Sequence, residues 1–134
     1  MVRLTRAGEY AIRGMIYLAK QPREELTLIS EIAKAQKVSA SFLAKIFQGL
    51  SKAGLVDSVR GVAGGVNLAR DPKEISLRNI VEAVEGPVAL NRCLRKKDPC
   101  ENTRTCPLAD VWREAQEKML EVLETATLAS VNGK

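Results

Sequence analysis

The sequence predicts a mainly α chain with a small β-hairpin and a long carboxy-terminal helix, and three observations predict it. Apolar residues recur at spacings of three and four through residues 5–19, 39–53 and 107–129, the period of helices with one buried face. Between them, "LVDSV" and "VNLAR" flank the glycine-rich "RGVAGG", the pattern of two paired strands joined by a turn. Aromatics make up 4% of the 134 residues against 46% hydrophobic residues overall, so Leu, Ile, Val and Ala must fill the core, which suits helix-rich packing.

The elements follow in order. Thr5 opens a helix running to about Ala19, with Arg6, Glu9 and Arg13 on one polar stripe and Tyr10, Ala11, Ile12, Met15, Ile16 and Leu18 around the rest. After "QPREEL", Thr27 is the expected N-cap of a shorter helix with inner face Leu28, Ile29, Ile32 and Ala33, ending near Gln36. "QKVS" is a turn, and Ser39 caps a third helix with inner stripe Leu43, Ile46, Phe47 and Leu50 that Gly54 terminates. The hairpin comes next and is closed by Asp71-Pro72. Ser76 caps a short helix with Leu77, Ile80, Val81 and Val84 inward, stopped by Gly86-Pro87.

Pro107 suits a first helical position, and from it Leu108, Trp112, Ala115, Met119, Val122, Ala126 and Ala129 hold one heptad register, widened by Val111, Leu120 and Leu123. So long a register in so short a chain predicts a two-helix subunit interface, hence a homodimer.

The chain has the length of one domain, 1–134, able to bury roughly two thirds of its unfolded surface without disulfide staples. It has no apolar run long enough to span a membrane, and "MVRLTRAGEYAIRG" lacks the apolar core of a signal peptide, so a cytoplasmic protein with no membrane partner is expected. The formal charge is +5, unevenly placed: residues 1–70 hold 11 Lys and Arg against 5 Asp and Glu, whereas residues 71–134 hold 10 against 11. A basic first half implies a polyanionic partner, most simply nucleic acid. An enzyme is not expected, because the chain has no histidine, no nucleophile paired with a base and no nucleotide motif. The glycine-rich tip is not a P-loop, since no Gly-Lys-Ser/Thr follows it.

Two short helices joined by a tight turn, followed at once by a glycine-tipped basic hairpin, are the parts of a winged helix-turn-helix over residues 1–72, with a cysteine loop and dimerisation helix over 73–134. A recognition helix enters a major groove about 12 Å wide, so its outer face needs short side chains and a few donors. Ser39, Ser41, Lys45 and Gln48 meet that need, and no acidic residue interrupts the face. In the wing, Gly61, Gly64 and Gly65 allow close backbone approach to a phosphate while Arg60 reaches into a minor groove of double-stranded DNA.

All three cysteines, Cys93, Cys100 and Cys106, fall within the polar stretch "CLRKKDPCENTRTC". In a reducing compartment a cluster of three is read as thiols or metal ligands rather than as a disulfide framework. Arg92, Arg95, Lys96, Lys97 and Arg104 supply positive potential, and Cys106 precedes a helix amino terminus, which lowers a thiol's pKa. The setting suits a reactive redox thiol or thiolate ligands. The C-x6-C-x5-C spacing lacks the C-x2-C knuckle usual for zinc, so iron-sulfur ligation ranks above structural zinc. A fourth ligand cannot be histidine, which leaves a carboxylate, solvent or a labile small molecule.

The segments "RLTRAGEYAIRGM", "SASFLAKIFQGLSKAGLVDSVRGVAGG", "IVEAVEG" and "CLRKKDPCENTRTCPLADVW" resemble, in order and spacing, the IscR/NsrR-type family of bacterial iron-sulfur winged-helix transcription regulators. The resemblance implies a homodimer that crosses its long carboxy-terminal helices, holds an iron-sulfur cluster in the cysteine loop and, more often than not, represses. It implies that Cys93, Cys100 and Cys106 are the cluster cysteines, that Ser39, Ser41 and Lys45 are recognition-helix contacts and that Arg60 is the wing's groove contact.

Departures from the family pattern narrow these implications. The cluster-assembly branch has a histidine three residues after its third cysteine, where this chain has Ala109, so that branch's [2Fe-2S] ligation cannot be copied and the cluster is [2Fe-2S] or [4Fe-4S]. The nitric-oxide-sensing branch draws a carboxylate from the first helix of the partner subunit, and the matching residue is Glu9. Against that, Glu9 precedes Arg13 by four residues, which suits a solvated ion pair worth about 0.2–0.5 kcal/mol. Asp110 is a local alternative ligand, equally suited to the helix dipole. A glutamate at the position of Ala44 helps the assembly regulator discriminate operators, and it is absent here. Two other readings stand beside the main one: a cluster-free thiol- or ligand-sensing regulator, and a small iron-sulfur electron carrier with a basic docking surface.

Overall fold

A computed structural model describes residues 4–61, 64–88 and 107–132 of the chain. Helix α1, Arg6–Ala19, begins where the Thr5 hydroxyl accepts from Gly8 N–H at 3.1 Å, and it buries Ala11, Met15 and Leu18. Helices α2, Ile29–Gln36, and α3, Ala40–Lys52, form the helix-turn-helix. Their turn is a Schellman motif. Lys37 stands in the left-handed region at φ 58°, with its N–H to Lys34 O at 3.3 Å and Val38 N–H to Ala33 O at 3.0 Å.

The end of α3 repeats the motif with the residue type that suits it. Gly54 has φ +76°, Gly54 N–H reaches Ser51 O at 3.0 Å, and Leu55 N–H reaches Leu50 O at 3.0 Å. Strands β1, Val56–Val59, and β2, Gly65–Leu68, pair antiparallel with Val56 opposite Leu68 and Val59 opposite Gly65. A single 3-10 turn at Pro72–Glu74, capped by Asp71, leads to α4, Leu77–Glu85. Ser76 and Asn79 form a capping box there, and Gly86 ends α4 at φ +80°.

Two expectations are corrected. The N-cap of α2 is Leu28, with no side-chain cap, rather than Thr27. Thr27 is buried because its backbone pairs with the wing: its N–H reaches Val66 O at 2.9 Å, and Val66 N–H reaches Thr27 O at 2.8 Å. The predicted inner position Leu28 is thereby turned outward, 51% exposed.

The last helix is also not continuous. It begins at Ala109 rather than Pro107, and α5 spans Ala109–Thr125. Ala126 is extended, and a separate α6 covers Leu128–Asn132. The break is made by backbone pairing: Leu77 N–H donates to Ala126 O, and Leu128 N–H to Ile75 O, each at 2.9 Å. Thr127 and Ser130 then cap the new helix reciprocally, at 2.9 and 3.2 Å, and Leu128 enters the core with no exposure. The heptad register therefore ends at Val122, and Ala126 and Ala129 lie off it.

One hydrophobic core joins α1, α2, α3 and the hairpin with Ile75, Ile80 and Leu128 from the second half. At its edge Glu85, the last residue of α4, accepts from Thr5 N–H at 2.7 Å and from the Thr5 hydroxyl. The carboxy end of α4 is thereby tied to the amino end of α1. Among the described residues no helix is long and apolar enough to cross a membrane.

Candidate nucleic-acid interface

The amino end of α3 carries the first two predicted contacts. The Ser39 hydroxyl accepts from Phe42 N–H at 3.2 Å, and the Ser39 and Ser41 oxygens lie 3.4 Å apart. Ser39 is thus fixed by its capping role, and its hydroxyl hydrogen stays free to donate. One turn on, Lys45 is exposed and has no ion pair among the described residues. With Gln48 and Lys52 it continues an exposed strip along α3.

Beside this strip runs an open groove of about 660 Å³ between α3 and the hairpin. Ala44, Gln48, Ser51 and Lys52 form one wall, and Ser58, Arg60, Gly61, Gly64 and Gly65 form the other. Leu28 and Ile29, at the start of α2, close its inner end. The structure therefore brings Gln48, Arg60, Gly61, Gly64 and Gly65 together, while Ser39, Ser41 and Lys45 lie along the helix outside the groove. Among the described residues no acidic side chain lines it, so its two cations face the opening without compensating charge, a field suited to a polyanion.

The three glycines of the wing differ in what they contribute. Gly61 stands at φ +112° with open space around it, a backbone conformation that favours glycine. At Gly64 an added Cβ would collide with Val59 O, and at Gly65 it would lie 2.7 Å from Thr27 O. Those two positions let the hairpin close on itself and on the start of α2. Lys52, four residues after Gln48, lies on the outward face that the sequence assigns to α3, whereas Ser58, which sequence reasoning misses, depends on how the hairpin leans over α3.

On α1, Glu9 pairs with Arg13 at 2.7 Å, both side chains about half exposed. Asp110 pairs with Arg113 at 2.7 Å in the first turn of α5. Glu9 thus holds the partner that its place on the polar stripe assigned it, whereas the Arg113 partner of Asp110 was not expected from the sequence. Cys93, Cys100 and Cys106 lie outside the described residues, and among the described residues no three His, Cys, Asp or Glu side chains converge to hold a metal.

The chain matches the Rrf2 family, described as an iron-dependent transcriptional regulator, over residues 4–133. It is similar to the HTH-type transcriptional regulator NsrR of Shouchella clausii, 33% identical over 95% of this chain and 86% of that one. The HTH-type transcriptional regulator IscR of Serratia proteamaculans is 35% identical over 97% of this chain and 79% of its own length. Among solved structures, CymR of B. subtilis, titled the global cysteine regulator, superposes with a TM-score of 0.80 at 29% identity, covering 99% of this chain and 98% of that one.

Proposed function

The chain belongs to the Rrf2 family of transcriptional regulators, and on that footing we propose that it is a cytoplasmic, homodimeric repressor that binds a double-stranded DNA operator with an affinity set by an iron-sulfur cluster. The observation that carries DNA binding is the α3–wing groove, lined by Lys52 and Arg60 with no carboxylate among the described residues. Residues 1–72 grip DNA in this reading, and residues 73–134 sense and dimerise. Ser39, Ser41, Lys45 and Gln48 meet base edges and backbone in a major groove, and Arg60 on the glycine tip reaches the adjacent minor groove.

Dimerisation rests on α5, where Leu108, Val111 and Val122 are 51%, 55% and 65% exposed on a helix whose other side packs against α4. Large apolar side chains left in water along one helix face are what a second copy would cover.

The donor set fits an iron-sulfur cluster: three cysteines among five nearby cations, and on α1 an exposed carboxylate held by one ion pair. Cys93, Cys100 and Cys106 would hold the cluster with Glu9 of the partner subunit. Releasing Glu9 from Arg13 costs only the few tenths of a kcal/mol of an exposed i,i+4 pair. When bound, the cluster supplies a centre whose occupancy answers to iron, redox state or nitric oxide. What this chain adds is the connection: Glu85 ties the entry to the cysteine segment to Thr5 at the start of α1, and α1 packs on α3.

A second reading, a thiol- or ligand-sensing regulator without a cluster, draws support from the likeness to a structure titled as a cysteine regulator. The electron-carrier reading is set aside by the family, whose members are named as regulators. Anaerobic purification with absorption and Mössbauer spectra of wild type, Cys106→Ala and Glu9→Ala separates the two that remain. An iron-loaded wild type, a depleted Cys106→Ala and an altered spectrum in Glu9→Ala are expected. A colourless, iron-free protein after reconstitution that still binds duplex DNA would leave the cluster-free reading.

A further inference from the structure

We propose that Arg6, the first residue of α1, is a DNA-backbone anchor that grips a phosphate on the flank of α3 opposite the wing. The inference rests on the DNA-binding reading and adds a contact to it. The Arg6 guanidinium lies 5.4 Å from the Phe42 ring centre and 5.7 Å from that of Tyr10. Those rings pack edge to face, 6.0 Å apart at 85°. The two aromatic faces hold a long, otherwise flexible side chain beside α3 by cation-π attraction. Phe42 belongs to the first turn of α3, its N–H bound to Ser39, so the charge is placed next to the predicted contacts Ser39 and Ser41.

Arg13 provides the contrast. It too lies over Tyr10, at 5.5 Å, but Glu9 neutralises it at 2.7 Å. No described residue forms an ion pair with Arg6, and it is exposed. Internal stability does not call for the placement, because a cation in the first turn of a helix opposes the macrodipole.

The flank is what gives the position its meaning. At about 100° per residue, Phe42 and Ala44 project roughly 200° apart around α3, on either side of the strip of Ser41, Lys45, Gln48 and Lys52. Ala44 faces the wing groove with Arg60, and Phe42 faces Arg6. A helix in a major groove has a sugar-phosphate strand on each side, and phosphate contacts on both sides fix its register. Arg60 serves one side and Arg6 the other.

The test uses the full chain and a labelled duplex enriched by the wild type from a random pool, with affinity measured by fluorescence anisotropy across a salt series. For Arg6→Ala, affinity at 0.1 M salt is expected to fall on the order of five- to tenfold, and the slope of log K against log salt to flatten by about one. Enriched and scrambled duplexes should lose affinity by similar factors. Arg6→Met, which keeps an apolar stem against Phe42, should show the same flattening. A loss of affinity with an unchanged slope would mean that Arg6 only positions α3, and unchanged affinity would remove it from the interface; either overturns the anchor while DNA binding stands. A wild type that enriches no duplex overturns the DNA-binding reading and the anchor with it.

Discussion

Gly14 stands where α1 crosses α3, and an added Cβ would lie 3.0 and 3.2 Å from carbons of the Phe47 ring. Phe47 is 1% exposed, and its ring would have to give by a few tenths of an ångström to admit the methyl group. Overpacking of this kind costs about 1–3 kcal/mol, partly offset by about 1 kcal/mol of better helix propensity for alanine. Gly14→Ala should lower the urea midpoint at unchanged m-value. Tyr17 offers a second check: its hydroxyl donates to Glu31 at 2.9 Å. That hydrogen bond, then burial and the Glu31 charge, hold the phenol above its usual range. The contribution of the neutral phenol is complete below its unfolded pKa and is lost as pH rises through the higher folded value. Phenolate absorbance should show Tyr17 ionising later than free tyrosine, and Glu31→Gln should bring it down.

At the scale of elements, α3 shows how one serine can be structural and its neighbour functional. Ser39 caps the helix through Phe42 N–H, whereas among the described residues the Ser41 side chain meets only the Ser39 hydroxyl. Ser39→Ala should cost about 1 kcal/mol of stability, and Ser41→Ala should leave thermal unfolding within about 0.5 kcal/mol of wild type. Both should weaken duplex binding, so Ser41→Ala is the cleaner probe of recognition. The two Schellman turns that frame α3 make a related point. Gly54 supplies the left-handed residue freely, while Lys37 adopts the same region with a side chain at a cost of roughly 1–2 kcal/mol. The helix-turn-helix angle is therefore held by the packing of Val38 against the core, with no glycine marking the turn in sequence.

For the whole molecule, the exposed face of α5 predicts its assembly: wild type should sediment as a dimer, and Val111→Glu with Val122→Glu should give a monomer with unchanged helical circular dichroism. A wild type that is monomeric at micromolar concentration would sink the dimer. Much of the architecture was legible in sequence because it depends on local chemistry. Ser39 and Ser76 cap the helices they were expected to cap, Gly54 and Gly86 end the helices they follow, and the paired strands flank the glycine-rich tip. The sequence by itself also determined that the first half is basic and that the outer strip of α3 is free of acids. Tertiary structure alone decided the rest. Thr27 lost its capping role to Val66, and α5 broke at Ala126 under the hold of Ile75 and Leu77, because backbone groups satisfied by distant segments leave no periodic trace in the chain. Arg6 was legible only as a member of a polar stripe. Its place beside the recognition helix was set by the crossing of α1 over α3, which brings Tyr10 and Phe42 together beneath one guanidinium.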